Sequence, residues 1–173
     1  MGKYDDIIEK SCLEHIEVIK DFLENNHKDI ETIIDLFIKT FKNGGKIVSF
    51  GNGGCSSDSS HLTSELVGRY SKNRISLPAI SLNDNSSSIT CIGNDYSFDD
   101  IFSRQITSLC SDKDLVIGFS TSGTSTNVIE AVKAAKKIGC KIVSFSGVKD
   151  NMLFNISDFN VCANLWLLSN RNI

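Results

Sequence analysis

Two short stretches of this 173-residue sequence combine glycine with small polar side chains. The first reads GNGGCSS over residues 51–57, and the second reads STSGTST over residues 120–126. Glycine lets backbone N–H groups approach a ligand closely, and hydroxyls at the start of a helix add donors to the N–H groups that the helix leaves unpaired. Because the positive end of the helix dipole also favours negative charge, such stretches are typical of a phosphate site.

Each stretch alone has a simpler interpretation, because serine and threonine cap helices in many proteins. Two such stretches, each following a predicted strand of the same sheet, favour a bound phosphoester. Neither matches the GxxxxGK[ST] or GxGxxG pattern, so the sequence does not indicate a nucleoside triphosphate or a dinucleotide.

A histidine and two carboxylates follow the first stretch. His61 and Glu65 are four residues apart on a predicted helix, so their side chains share one face, and Asp58 lies nearby on almost the same face. One interpretation is an ordinary hydrogen bond on the protein surface. The other is catalytic: a carboxylate beside a sugar would take a proton from the carbon next to a carbonyl group, while a histidine or a metal polarises the oxygen.

The pattern of apolar residues predicts the elements that hold these groups. Two helices come first, at about residues 4–24 and 28–42, and Gly44 and Gly45 would end the second. Short runs of Val, Ile and Phe then alternate with helical patterns, which predicts an α/β, doubly wound fold with a parallel sheet covered on both faces. The strands are predicted at 46–50, 77–82, 114–120, 141–147 and 158–163, and the later helices at 57–69, 86–92, 98–110 and 125–137.

Ligands of such sheets bind beyond the carboxyl ends of the strands, so both polar stretches are predicted to face one ligand. The chain is long enough for one well-packed domain. Its 18 basic and 21 acidic residues are mixed along the sequence, without the basic stripe that nucleic acid requires. No run approaches the roughly 20 apolar residues of a membrane span, and the N-terminus lacks a signal-peptide core. We therefore expect a cytoplasmic protein with no nucleic-acid or membrane partner.

Several longer motifs resemble the phosphoheptose isomerases, members of the sugar-isomerase (SIS) domain superfamily that make the heptose precursor of bacterial lipopolysaccharide. The resemblance extends from the N-terminal helices to about residue 160. The motifs are, in chain order, GNGG (51–54), HLTSELVGRY (61–70), SITCIGNDYSFDDIFSRQ (88–105), IGFSTSGTSTNVIEAVKAAKKIG (117–139) and KIVSFSG (141–147).

The resemblance implies a flavodoxin-like fold in a single SIS domain over residues 1–173. Within it, helices would occupy residues 1–45, the α/β core residues 46–163 and an atypical tail residues 164–173. It also implies a homotetramer with sites between subunits. The implied reaction converts sedoheptulose 7-phosphate to D-glycero-D-manno-heptose 7-phosphate through an enediol.

The resemblance also implies roles for individual residues. Glu65 would be the proton-transferring base, and His61 and Glu65 would be zinc ligands. Ser120, Thr121, Ser122 and Ser125 would hold the phosphate. The remaining substrate contacts would come from Asn52, Gly53, Gly54, Cys55, Arg69, Asn94 and Asp95.

The sequence departs from the family pattern at two places. Cys55 stands where the family usually has serine, and a thiol is a weaker hydrogen-bond donor to phosphate. The family also has a glutamine and, eight residues later, a histidine that complete the zinc site, whereas ANLWLLSNRNI follows Cys162 and no histidine follows His61. A catalytic zinc generally has three protein ligands, so we expect an incomplete site, with Asp58 or Cys55 as candidates for the third ligand. Truncation or a frameshift of an active enzyme would explain this tail.

Two functions therefore remain open at the level of sequence. The first is a phosphosugar isomerase, impaired by loss of the C-terminal helix. The second is a non-catalytic SIS module that binds sugar phosphates or tethers other proteins. The polar stretches suit both functions, Glu65 favours the first, and the atypical tail favours the second.

Overall fold

The computed structural model describes residues 2–163, which form a five-stranded parallel sheet with helices on both faces. The strands are β1 (Ile47–Gly51), β2 (Ala79–Ser81), β3 (Leu115–Phe119), β4 (Lys141–Ser146) and β5 (Phe159–Cys162), in the order β2-β1-β3-β4-β5. The helices are α1 (Asp5–Lys42), α2 (Gly54–Val67), α3 (Ser86–Asp95), α4 (Ser103–Leu109), α5 (Thr126–Ile138) and α6 (Met152–Ile156), with a 3₁₀ turn at Phe98–Asp100. This order is that of the flavodoxin-like folds, so the predicted α/β, doubly wound architecture is confirmed.

Alternating strand residues build two hydrophobic cores, one on each face of the sheet. On one face, Ile47, Leu115 and Ile117 pack with side chains of α1 and α2. On the other face, Val48 and Val116 pack with side chains of α4, α5 and α6. Both faces are covered, which is what a parallel sheet requires.

The N-terminal segment forms one helix of 38 residues, so the prediction of two N-terminal helices is wrong. Asparagine is a weak helix former at Asn25 and Asn26, but the segment contains no glycine or proline to end the helix. Asn26 is buried, and its side chain donates to Phe22 O (3.0 Å) and Cys162 O (3.2 Å) and accepts from Cys162 N (3.3 Å). The two bonds to Cys162 pair its backbone at the outer edge of β5 and anchor α1 to the sheet.

Two further differences concern short elements. The predicted helix at 98–110 is divided into the 3₁₀ turn and α4, and α6, which has only five residues, was not predicted. The atypical tail, residues 164–173, lies outside the described residues. Within the described residues, no helix combines the length and apolar character needed to cross a bilayer.

Candidate functional site

The two polar stretches begin where β1 and β3 end. These strands are neighbours in the sheet, with Gly51 paired to Phe119 at the last position of the ladder. The chain continues from β1 to β2 on one side, while β3 lies on the other, so this is the point at which the strand order reverses. Doubly wound proteins bind ligands in the crevice at this point.

Side chains connect the two stretches directly. Asn52 Nδ2 donates to Asn127 Oδ1 (2.8 Å), and Asn127 Nδ2 donates to Asn52 Oδ1 (2.9 Å). The Cys55 thiol lies 3.6 Å from the Thr121 hydroxyl. The prediction that both stretches border one cleft is therefore confirmed.

The first stretch presents backbone donors to this cleft. Gly53 has a φ of +55°, a conformation that favours glycine, and it precedes the first residue of α2. Cys55 N donates to Asn52 O and Ser56 N donates to Gly53 O. The N–H groups of Gly53 and Gly54 have no acceptor among the described residues, so they are available to an anion at the start of the helix.

The second stretch presents both hydroxyls and backbone donors. The Ser120 and Ser125 hydroxyls lie 3.2 Å apart, beside the start of α5. Among the described residues, no acceptor is present for the N–H groups of Thr121, Ser122 and Ser125. The polar stretches contain no lysine or arginine, so an anion here would be held by neutral donors and by two helix N-termini.

A recess of about 150 Å³ adjoins the second stretch, beyond the carboxyl ends of β3, β4 and β5. Its polar wall includes Cys55, Asp58 and Thr121, and its apolar wall includes Phe119 and Phe145. The two phenylalanine rings are stacked, with centroids 5.1 Å apart. The recess therefore offers an apolar surface directly next to the anion donors.

His61 and Glu65 lie farther along α2. His61 Nε2 and Glu65 Oε1 are 3.4 Å apart, and the Glu65 side chain is 34% exposed. Glu65 Oε2 is buried and has no hydrogen-bond donor within residues 2–163, an arrangement that costs on the order of 1–3 kcal/mol unless a partner arrives. Glu65 follows Gly54 by eleven residues, about 16 Å along the helix, although helical side chains lean back toward the N-terminus.

The sequence and the fold both match known proteins. A family model described as "SIS domain" matches residues 13–147. A phosphoheptose isomerase of Aliarcobacter butzleri is 42% identical over 152 residues, which cover 88% of this chain and 80% of that protein. A phosphoheptose isomerase of Helicobacter pylori (strain P12) is 42% identical over 89% of this chain and 80% of its own length. The chain belongs to the phosphoheptose isomerase family.

Solved structures agree with this family assignment. The phosphoheptose isomerase from Neisseria gonorrhoeae has a TM-score of 0.87 and 30% identity, covering 93% of this chain and 86% of that one. A phosphoheptose isomerase from Francisella tularensis also has a TM-score of 0.87, at 28% identity, covering 94% of this chain and 86% of that one. The resemblance read from the sequence motifs is therefore confirmed.

This phosphoheptose isomerase family member does not bring all the predicted site residues together within one chain. Arg69 is exposed and follows the C-terminal end of α2, about 20 Å along the helix from Gly54. Asn94 and Asp95 are exposed at the C-terminal end of α3, where Asn94 Nδ2 donates to Asp95 Oδ1 (2.8 Å). The hydrogen bond that Asp95 accepts from Cys91, together with its charge, raises the pKa of that thiol. Roles for Arg69, Asn94 and Asp95 remain predictions.

The predicted zinc ligands fit a metal in part. Two ligand atoms about 2.05 Å from a tetrahedral zinc lie roughly 3.3 Å apart, close to the 3.4 Å between His61 Nε2 and Glu65 Oε1. Asp58 and Cys55 line the recess instead of joining this pair. Over residues 2–163, no three His, Cys, Asp or Glu side chains form a group that could hold a metal ion. His61 and Glu65 thus fit as two of the ligands, and zinc remains a prediction.

Sequence reasoning missed one residue that organises the cleft. Asn127, at the second position of α5, is 2% exposed and is bonded to the first stretch. The available signal was an asparagine in the first turn of a helix, where its side chain can bond to nearby backbone. That signal indicates a cap, but it does not indicate a partner 75 residues away.

Proposed function

We propose that this chain is an aldose–ketose isomerase that converts sedoheptulose 7-phosphate to D-glycero-D-manno-heptose 7-phosphate, a step in making the heptose of lipopolysaccharide. The observation that carries the proposal is the cleft between β1 and β3. There, two neighbouring crossovers present hydroxyls and unpaired N–H groups to one ligand. The relatives at 42% identity, named phosphoheptose isomerases, support the same function.

The cleft suits a phosphate because its donors are already oriented. Ser120, Thr121, Ser122 and Ser125 surround the start of α5, and Gly53 and Gly54 open α2. Unpaired N–H groups and helix dipoles both favour a dianion without a formal positive charge. In this proposal the sugar phosphate is held by the second stretch, and Asn52, Gly53, Gly54 and Cys55 border the sugar.

Glu65 is the proposed base. It would take a proton from C1 of the ketose, so that a C1–C2 double bond forms and the C2 carbonyl oxygen gains the electron pair. Return of a proton to C2, with transfer of the O1 proton to O2 and formation of the C1 carbonyl, gives the aldose. Enediol chemistry of this kind needs a carboxylate that is ionised at the operating pH and a polarised carbonyl oxygen.

The position of Glu65 favours a long substrate. The reacting carbons, C1 and C2, lie at the opposite end of a heptose 7-phosphate from its phosphate group. Glu65 is about 16 Å along α2 from the residue that begins the helix beside the phosphate cleft. A seven-carbon chain reaches farther toward Glu65 than a shorter phosphosugar does, and the lean of helical side chains toward the N-terminus shortens the remaining distance.

Zinc, if bound, would be held by His61 and Glu65, together with groups outside the described residues of this chain. A zinc ion at this pair would act as a Lewis acid on a substrate oxygen. The proposal that Glu65 receives a partner is supported by its buried Oε2, which has no donor in the described residues.

A homo-oligomer, as the family resemblance implies, would explain two features of the single chain. Exposed apolar side chains run along α1, among them Ile7, Ile16 and Ile38. Farther along the same helix, an apolar groove of about 450 Å³ lies between α1, α2 and the sheet, lined by residues that include Ile34, Phe37, Ile38 and Leu66. Large apolar patches of this kind mark protein interfaces. A tetramer would also allow Arg69, Asn94 and Asp95 to act in the site of another subunit.

The proposal is tested by measuring isomerisation of sedoheptulose 7-phosphate by the purified chain, with and without added zinc, and by Glu65→Gln. Loss of general-base catalysis should reduce kcat by about 10²–10⁴-fold, while binding of inorganic phosphate changes less than about twofold. The matched control is Glu31→Gln. Glu31 forms the same i, i+4 pair with a histidine (His27 Nδ1 to Glu31 Oε1, 3.6 Å), but on α1 and away from the cleft.

The outcomes separate the two candidate functions. Turnover by the wild type that Glu65→Gln abolishes and Glu31→Gln preserves supports the isomerase. Binding of the phosphosugar without turnover, with and without zinc, would contradict it and favour the non-catalytic module. Absence of any phosphate binding would contradict both functions.

A further inference from the structure

The amide pair between Asn52 and Asn127 joins the two polar stretches, and in the part of the chain that the structure describes no other strong side-chain interaction connects them. The β1–β3 ladder ends at Gly51 and Phe119, and beyond it no backbone hydrogen bond joins the two stretches within the described residues. The other contact between the stretches, from Cys55 Sγ to Thr121 Oγ1, is 3.6 Å long and involves a weak thiol partner. The amide pair therefore sets how far apart the two stretches lie.

Both amides have a fixed orientation. Val128 N donates to Asn127 Oδ1 (2.9 Å), so this oxygen must face the backbone of α5 and Asn127 Nδ2 must face Asn52. Asn127 Oδ1 then accepts from both Val128 N and Asn52 Nδ2, which uses both of its lone pairs. Because Asn127 is 2% exposed, leaving its amide unpaired would carry the full cost of desolvation, whereas the amide of Asn52 is only partly buried.

The pair acts on donors that it does not itself supply. Asn52 immediately precedes Gly53 and Gly54, whose N–H groups open α2, and Asn127 follows Ser125 and Thr126 at the start of α5. Two helix N-termini contribute to binding one anion only when both stand at hydrogen-bond distance from it. A change in the separation of the two N-termini would move the donors of one of them out of hydrogen-bond distance of the anion, although the donors themselves would still be present.

We propose that Asn127 is a positioning residue, which fixes the α2 and α5 N-termini at the separation that lets both bind one phosphate group, and that Asn52 acts mainly through this pair. The inference deepens the proposed function and rests on it for the identity of the substrate. It does not depend on turnover, because it concerns the binding of phosphate itself.

A double-mutant cycle tests the inference. The Kd for inorganic phosphate is measured for the wild type, Asn52→Ala, Asn127→Ala and the double variant. None of these substitutions changes the net charge. Each single variant should raise the Kd about tenfold, and the double variant should raise it by about the same factor, because either change removes the same pair. In the active enzyme the KM for the phosphosugar should rise in parallel, with kcat changed less.

Two further variants separate positioning from folding. Asn127→Ser keeps a side-chain oxygen that can accept from Val128 N but is too short to reach Asn52, so it should weaken phosphate binding as Asn127→Ala does. Asn26→Ala removes a similarly buried asparagine that bonds to Phe22 and Cys162 and to neither polar stretch, and should lower the melting temperature while changing the Kd less than twofold.

Three results would overturn the inference. One is an additive cycle, with a roughly hundredfold loss in the double variant, because Asn52 would then contact the ligand independently. Another is normal phosphate binding in Asn127→Ser. The third is an equal loss of binding in Asn26→Ala. If the wild type binds phosphate and the cycle is non-additive, but no heptose phosphate is isomerised, then the proposed function fails and the positioning role stands.

Discussion

The ion pair between Asp114 and Lys46 gives a quantitative test of how the sheet is held together below the cleft. Asp114 precedes β3 and Lys46 precedes β1, so the pair joins the amino ends of the two strands whose carboxyl ends carry the polar stretches. Lys46 Nζ lies 2.7 Å from Asp114 Oδ2, and the Asp114 side chain is 2% exposed. Lys46 N donates to Asp114 Oδ1 (2.9 Å), while Ser111 N (2.8 Å) and Ser111 Oγ (3.2 Å) donate to Oδ2.

We expect Asp114→Asn to lower the free energy of unfolding by about 2–4 kcal/mol at pH 7. Removing one partner of a buried ion pair costs about 3–5 kcal/mol. Because the Lys46 side chain is 25% exposed, its ammonium can regain water, which places the expected loss at the lower end of that range or somewhat below it. An asparagine at position 114 would also place an NH₂ group opposite N–H and O–H donors that bond to a carboxylate oxygen in the wild type.

The effect should depend on pH with a defined sign. Burial tends to raise the pKa of Asp114, but the hydrogen bonds from Lys46 and Ser111 outweigh it, so the pKa of this carboxyl is lowered. Its contribution is therefore present above the unfolded-state value of about 3.9 and is lost as the pH falls through the lower folded-state value. The difference between the wild type and Asp114→Asn should be constant from neutral pH to about pH 5 and shrink in more acidic solution.

Urea unfolding at one fixed protein concentration, followed by circular dichroism at several pH values, measures these differences. Asp158→Asn is the matched control, because Asp158 Oδ2 also accepts from a strand backbone, Ile142 N (2.9 Å), and Asp158 Oδ1 lies 3.6 Å from Lys141 Nζ. The two side chains of that pair are 28% and 63% exposed, so its loss should be about 1 kcal/mol or less. Equal losses in the two variants, or an Asp114→Asn effect that persists unchanged at pH 3, would refute the reasoning.

Two other predictions concern the second stretch and the long helix. Gly123→Ala should destabilise the protein by about 2–5 kcal/mol in urea, because φ is +67° and an added Cβ would overlap the buried Asn151 side chain. Gly53→Ala, at φ +55° and ψ −122° with no atom within 4 Å of the added Cβ, should cost about 1–3 kcal/mol from backbone strain alone, and a loss larger than that of Gly123→Ala would contradict this explanation. Ile38→Asp, in the apolar groove, should reduce the molecular mass that light scattering measures for the protein in solution, whereas Thr32→Asp on the opposite face of α1 should not. An unchanged mass in Ile38→Asp would argue against this groove as the interface between subunits.

The sequence predicts the sheet well because its strands carry local signals. The run KIVSF over 46–50 contains alternating residues for both cores, and the structure places β1 at Ile47–Gly51. The role of Asn26 could not be predicted in this way, because its bonds are to Cys162, 136 residues away. The five-residue helix α6 is too short to show helical periodicity, and its capping bond from Phe154 N to Asn151 Oδ1 is visible only in the structure.

The same division applies to the candidate site. The two polar stretches can be recognised from their composition, and the βα alternation places both at the carboxyl edge of the sheet. The pairing of Asn52 with Asn127 depends on β1 and β3 being neighbours, and strand order is not a property of any local segment. The roles expected for Arg69 and Asp95 stay predictions, because the fold of one chain leaves both residues exposed and away from the two polar stretches.

A cleft that binds phosphate with neutral donors depends on how rigidly those donors are held. The flexible side chain of a lysine or arginine can adjust to the position of an anion, but backbone N–H groups move only when the backbone moves. Residues that do not themselves bind the phosphate therefore control its affinity in this proposal: the amide pair fixes the separation of the two helix starts, and Gly123 fixes the turn between Ser120 and Ser125. This reasoning predicts that substitutions in the supporting residues weaken phosphate binding as much as the loss of a single hydroxyl does.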